Sequence, residues 1–185
     1  MTTDSRQVVG VRTGYASRGR LRLSVFAVVA AVLCAAGVGA VQEATLTAEE
    51  VQLTREAAEQ GVAVAQHALA VLYASGRGVA RDDGLAAEWY RRAAQQGNPR
   101  SQHNLGLMYT TGRGVPKDDA EGMLWFRRAA EQGVPEAQNN LAVMYATGRG
   151  APKDAAEAVR WYREAAEQGF AAAQHSLGQM YAAGD

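Results

Sequence analysis

The sequence predicts an all-α solenoid of 36-residue helix-turn-helix repeats, about three complete ones with a half-repeat at each end. Three observations carry that prediction. A glycine-arginine-glycine loop recurs at a constant interval, as SGRGVARD at 75–82, TGRGVPKD at 111–118 and TGRGAPKD at 147–154. Apolar residues on both sides of it keep helical spacing. A closing Ala-Ala-x-Gln-Gly returns at 57–61, 93–97, 129–133 and 165–169. Such a period marks stacked hairpins, because one hairpin alone cannot bury its apolar stripe.

In chain order, a leader comes first. Residues 1–22 carry five arginines against Asp4, and no charge follows until Glu43. Arg18, Arg20 and Arg22 precede LSVFAVVAAVLCAAGVGAVQ at 23–42, so residues 1–40 read as a basic leader with an export signal. Val38-Gly39-Ala40 offers small residues for cleavage before Val41. About 20 apolar residues also suffice to span a bilayer as an uncleaved signal anchor. Both forms leave the arginines on the cytoplasmic side. Cleavage after Ala40 makes residues 41–185 periplasmic or secreted; retention tethers them to the inner membrane through residues 23–42, outside the cytoplasm. Cys34 is the sole cysteine and follows Leu33, where a lipoprotein signal needs a small residue. The exported part has no cysteine for a disulfide or a thiolate zinc site.

The chain is neutral overall, yet beyond residue 40 it holds 14 of the 19 basic and 18 of the 19 acidic residues, a net of −4. No basic patch of the kind nucleic-acid binding requires is present, so DNA and RNA are excluded as partners.

The body, 41–185, opens on a half-repeat at 46–60. Its TAEEVQLTREAAEQG (47–61) aligns with the second helix of the later repeats, with Leu53 in place of tryptophan, and suits a polar N-terminal cap. Repeats follow near 61–96, 97–132 and 133–168, then a partial one at 169–185. Ala137, Leu141, Met144 and Tyr145 share one face of a first helix, A, at about 135–147. Ala158, Trp161, Tyr162 and Ala165 do the same in a second helix, B, at about 155–168. Asp82, Asp118 and Asp154 suit the N-cap of helix B, with Glu121 and Glu157 three residues on completing capping boxes. Gly97, Gly133 and Gly169 suit the left-handed residue that ends helix B, and Pro99 and Pro135 the first turn of the next helix A. Trp89, Trp125 and Trp161 repeat in register with Tyr73, Tyr109 and Tyr145, an aromatic stripe expected to fill the core. The sequence reaches Gly184-Asp185 where a fourth loop would begin. Its last helix A should expose an apolar face, pointing to a truncated frame or a partner at that edge.

Gly112, Gly114 and Lys117 superficially resemble a phosphate-cradling loop. The spacing is wrong, Pro116 has no N–H to donate, and Asp118 would repel an anion. A turn explains every residue: Gly112 closes helix A, Gly114 turns the chain, Pro116 stiffens it and Asp118 starts helix B. Arg77, Arg113 and Arg149 are expected to be solvated or bonded to nearby carbonyls.

No catalytic, cofactor-binding or metal-binding set emerges, and Ser-x-x-Lys is absent. His67, His103 and His175 follow Gln66, Gln102 and Gln174, while Asn139 takes the third position. Stacked helices hold equivalent residues about 8–10 Å apart, too far to share an ion whose ligands lie about 2 Å away. Surface hydrogen-bonding roles are expected instead. The remaining candidate is one face of helix A, where His103, Leu107 and Thr110 stand at i, i+4 and i+7. With His67, Val71, Asn139, Val143 and Ala146 they would form a mildly apolar strip edged by amides, suited to an extended peptide or a partner helix. The alternative is that some of them pack against the next repeat.

The pattern Ala-x-x-x-Leu-x-x-x-Tyr-x-x-Gly-x-Gly, then Asp and Trp-Tyr/Phe, then Ala-Ala-x-Gln-Gly, resembles the Sel-one-like repeat family, a relative of the tetratricopeptide repeat with a longer inter-helix loop. The resemblance covers residues 47–185. It implies a right-handed α/α superhelix whose concave side binds a protein or peptide, and an adaptor role with no enzymatic activity and no cofactor. With the leader, it implies export to the bacterial cell envelope. A cysteine-rich subset of the family is associated with penicillin binding and β-lactam hydrolysis. That alternative, a cell-envelope hydrolase, is disfavoured here by the absence of repeat cysteines.

Overall fold

The computed structural model describes residues 46–183, so the leader and the final two residues lie outside it. Eight helices follow one another: α1 (Ala48–Glu59), α2 (Ala63–Ser75), α3 (Asp83–Gln95), α4 (Pro99–Thr111), α5 (Asp119–Glu131), α6 (Pro135–Thr147), α7 (Ala155–Glu167) and α8 (Ala171–Ala183). Helices α2, α4, α6 and α8 are the A type, and α1, α3, α5 and α7 the B type. Each packs against its neighbours in sequence, which makes an α/α solenoid. None of them is long and apolar enough to cross a membrane.

Local chemistry sets the ends. Asp82, Asp118 and Asp154 cap α3, α5 and α7 by accepting first-turn backbone N–H groups at 2.9–3.0 Å. The expected capping boxes at Glu121 and Glu157 are not closed. Glu157 instead accepts from the Trp161 indole at 3.1 Å, because the ring one turn on is the nearer buried donor. The box that does close joins Thr47 and Glu50 at the start of α1. Each B helix ends in a left-handed glycine, as at Gly133, whose N–H reaches Ala130 while Val134 N–H reaches Ala129. This double bond is the Schellman arrangement. Pro99 and Pro135 open α4 and α6.

The glycine-arginine-glycine loop is a turn, and it is also a contact between repeats. Gly112 closes α4 with φ 73°. Gly114 has φ 71°, and a Cβ there would stand 2.0 Å from the Asp83 carbonyl oxygen. The loop backbone thus lies directly on the start of the preceding B helix. Two of the three arginines between the glycines are placed differently from the sequence expectation: Arg113 Nε meets Asp83 at 3.1 Å and Arg149 meets Asp119 at 2.7 Å. Stacking brings those carboxylates, 30 residues upstream, within reach of the guanidinium groups.

Trp89, Trp125 and Trp161 are 5–9% exposed and belong to the core, whereas Tyr73, Tyr109 and Tyr145 of the same stripe are half-buried at its edge. Arg92, Arg128 and Arg160 lie 4.3–4.5 Å over those rings and shield their outer faces. Small residues admit close helix approach: Gly106 of α4 faces the Phe126 ring and the Gly122 carbonyl of α5.

Candidate partner-binding face

Two recurring sets of polar side chains join the repeats. Gln66, Gln102 and Gln138 are 2–5% exposed, and each donates from Nε2 to the last turn of the preceding B helix, at Ala58, Ala94 and Ala130 (3.1–3.2 Å). Their Oε1 atoms accept from Gln96, Gln132 and Gln168 at 2.6–2.7 Å. Each of these three amides is therefore used on both sides, which burial demands. A second ladder runs from Arg91, Arg127 and Arg163 to the hydroxyls of Tyr109, Tyr145 and Tyr181, each 18 residues on. Both ladders escaped the sequence reading, although glutamines recurring every 36 residues beside core alanines were the available signal.

The predicted strip divides once placed on this frame. His67 is 4% exposed, with Nδ1 2.8 Å from Ser101 Oγ of α4 and its ring 5.6 Å from Tyr90. It offers no surface to a partner, a correction to its expected place on the strip. Burial, with a smaller effect of Arg100, lowers its pKa to about 4, so it is neutral near pH 7. His103 is half-buried between Asn140, 3.1 Å away, and the Phe126 ring, and burial lowers its pKa as well. Thr110 turns toward α5, since a Cβ on Gly122 would meet its methyl at 2.5 Å. Val71, Val143 and Ala146 are half-buried against the core, and Asn139 is half-buried.

Leu107 is the open apolar member, 39% exposed. It borders a depression of ≈ 280 Å³ with Tyr90, Asn104, Met108, Thr111 and Arg113. Burial raises the Tyr90 pKa to about 12, so its hydroxyl stays protonated beside Asn104. On helix A the exposed positions are therefore 107 and 111, while 103, 104 and 110 are half-buried; on α6, 147 is exposed and 143 half-buried. Position 110 packs against the B helix of its own hairpin. Among the described residues no cluster of histidine, aspartate and glutamate is arranged to hold a metal ion.

The fold defines a helical-repeat protein, an α/α solenoid built by stacking hairpins. The family model of the Sel1 repeat matches residues 63–98, 99–134, 135–170 and 171–185, beginning each unit at the first residue of an A helix. The chain belongs to the Sel1 repeat family. Proteins of this family typically serve as protein-interaction scaffolds and are generally non-enzymatic. No curated protein matches the chain. Among solved structures, it is similar to c5321, a protective antigen of uropathogenic Escherichia coli with an SLR fold (37% identity, TM-score 0.79, 91% of this chain and 35% of that one). A Sel1 repeat protein from Oxalobacter formigenes is similar at 37% identity and TM-score 0.69, over 74% of this chain and 56% of that one. The chain thus spans roughly a third to a half of these two relatives. Cysteine-rich protein B of Helicobacter pylori shares the fold at 19% identity and TM-score 0.56, over 76% of this chain and 100% of that one.

Proposed function

We propose that the protein is an exported, non-enzymatic scaffold that binds a protein or peptide partner along the open faces of its A helices. The observation that carries this reading is the division of labour among side chains. Glutamines, arginines, tyrosines and His67 are engaged in holding repeats together, whereas Leu107 and the depression beside it stay open, rimmed by Asn104 and Thr111. An apolar notch with amide and hydroxyl groups at its edge suits a peptide, whose side chains need burial and whose backbone needs donors and acceptors. Solenoids bind along such extended faces. The export signal read in residues 1–40 supports a location in the cell envelope, free or anchored.

The test is crosslinking affinity capture from the native envelope with the exported region, alongside Leu107→Asp. The expected result is one specific protein captured by the wild type and lost with Leu107→Asp, while helicity and melting stay near wild type because Leu107 is exposed. Hydrolysis of a β-lactam or of peptidoglycan by the purified chain, abolished by one point substitution, would overturn the scaffold reading.

A further inference from the structure

If the A-helix faces bind a peptide, as proposed above, the depression beside Leu107 defines part of its chemistry. That depression, ≈ 280 Å³, joins an apolar floor of Leu107 and Met108 to Tyr90, Asn104, Thr111 and Arg113. Arg113 meets Asp83 through Nε at 3.1 Å, and its two Nη groups donate no hydrogen bond among the described residues. Asp83 is also held by Arg81 at 2.8 Å, so two guanidinium groups share one carboxylate and positive charge is left over at the rim. The adjacent Asp82 is turned to the first turn of α3, where it caps the Leu85 N–H. Arg100, two turns before Leu107 on α4, is exposed and forms no ion pair among the described residues. The C-terminal dipole of α4 opposes an anion with only about half a charge. Its Met108 carbonyl is already capped by the Gly112 and Arg113 N–H groups, so the full charge of Arg113 prevails.

The neighbouring copies lack this combination. On α6 the matching residues are Asn140, Val143, Thr147 and Arg149, but Phe126 replaces Tyr90 and brings no hydroxyl, and Arg149 has Nη2 committed to Asp119 at 2.7 Å. On α2, Ala68 stands for Asn104, and Thr54, the counterpart of Tyr90, is spent on the Glu50 carbonyl at 2.8 Å. Glu136 takes the Arg100 position on α6, so the positive character belongs to α4. We propose that this depression anchors an extended peptide of the partner through an internal Asp or Glu side chain, its carboxylate on Arg113 Nη and the Tyr90 hydroxyl, with a large apolar residue two positions away on Leu107. Positions i and i+2 of an extended chain face the same way, about 7 Å apart, so both side chains reach the depression together. The Tyr90 hydroxyl stays protonated at neutral pH and can donate. An internal residue fits better than a chain terminus because the face continues on both sides. There α2 and α6 stack against α4, through His67 on Ser101 and His103 on Asn140, and carry Val71 and Val143.

The test is selection of a phage-displayed random nonapeptide library on the full 185-residue chain, then fluorescence anisotropy with the enriched peptides, labelled and blocked at both ends. Enrichment of Asp or Glu two positions from Leu, Ile, Phe or Trp is expected. Replacing that acid by its amide, or Arg113→Gln in the chain, should weaken binding more than about tenfold, as for a charge-assisted pair. Tyr90→Phe, a change the next repeat already carries as Phe126, should weaken it about threefold to tenfold. Arg149→Gln breaks the equivalent ion pair between repeats and should leave binding unchanged, which separates a contact with the peptide from a structural effect. Enriched peptides that lack an acid, yet are lost with Leu107→Asp, keep the peptide-binding reading and overturn the acidic anchor. So does an acidic peptide whose binding survives Arg113→Gln or falls equally with Arg149→Gln. Enrichment of no sequence at all overturns both.

Discussion

Truncating Gln138 tests whether the glutamine ladder, rather than apolar burial alone, holds neighbouring repeats in register. Gln138 is 2% exposed; it donates to Ala130 and accepts from Gln168. Gln138→Ala removes two hydrogen bonds at about 1 kcal/mol each. The Ala130 carbonyl keeps its bond from Gly133 N–H at 2.9 Å, so no orphaned acceptor adds to the loss. The void left in a tightly packed site adds about 1–2 kcal/mol. The sum is about 3–4 kcal/mol, or roughly 10 °C in melting temperature for a domain of this size. Gln174→Ala is the internal control, since it occupies the same position and makes the same bond to the preceding helix but is exposed and accepts nothing. It should lose no more than about 1 kcal/mol. Gln138→Met refills the volume without the bonds and should recover only the packing share. Urea unfolding followed by circular dichroism reads all three. Equal losses at Gln138 and Gln174, or a loss under about 1 kcal/mol at Gln138, would refute the argument.

Two further outcomes follow from the same contacts. Gly114→Ala combines a left-handed φ with a Cβ 2.0 Å from a backbone oxygen, and should lower stability by about 2–4 kcal/mol; Gly97→Ala, left-handed but with open space around it, should lose only about 1 kcal/mol, as read by paired denaturation curves. The His67 pKa, about 4 in the fold against 6.5 unfolded, means that the unfolded chain binds the extra proton between those values. Stability should therefore fall as pH drops from about 6.5 to 4, by up to about 3 kcal/mol, and a His67→Asn variant should flatten that part of the pH profile.

The local features were legible because they depend on residues at most four apart. Periodicity located α6 at 135–147, and the aspartate caps and left-handed glycines were recognisable from residue type and spacing alone. Even at short range, Glu157 went to the Trp161 indole and not to a capping box, since a buried donor one turn away competed for it. The site was less legible. Leu107 could be read as exposed, but the phase of the strip could not, because a helical wheel does not say which side a hairpin partner will cover. Thr110 lost its place to Gly122 and α5, and His67 to Ser101 and Tyr90, contacts that only stacking creates.

By itself the amino-acid order determined the repeat length, the helix ends, the meaning of the glycine-arginine-glycine loop as a turn and the composition of the core. Each of these is settled within one hairpin, by backbone preference and apolar periodicity. The tertiary structure decided which polar groups meet across repeats: Gln138 with Gln168, Arg127 with Tyr145, Arg149 with Asp119. Those pairs lie 18 to 30 residues apart in sequence, and only the rise and rotation of one hairpin on the next sets their distance. The same stacking decides which faces of the A helices are covered and which, like that of Leu107, stay open.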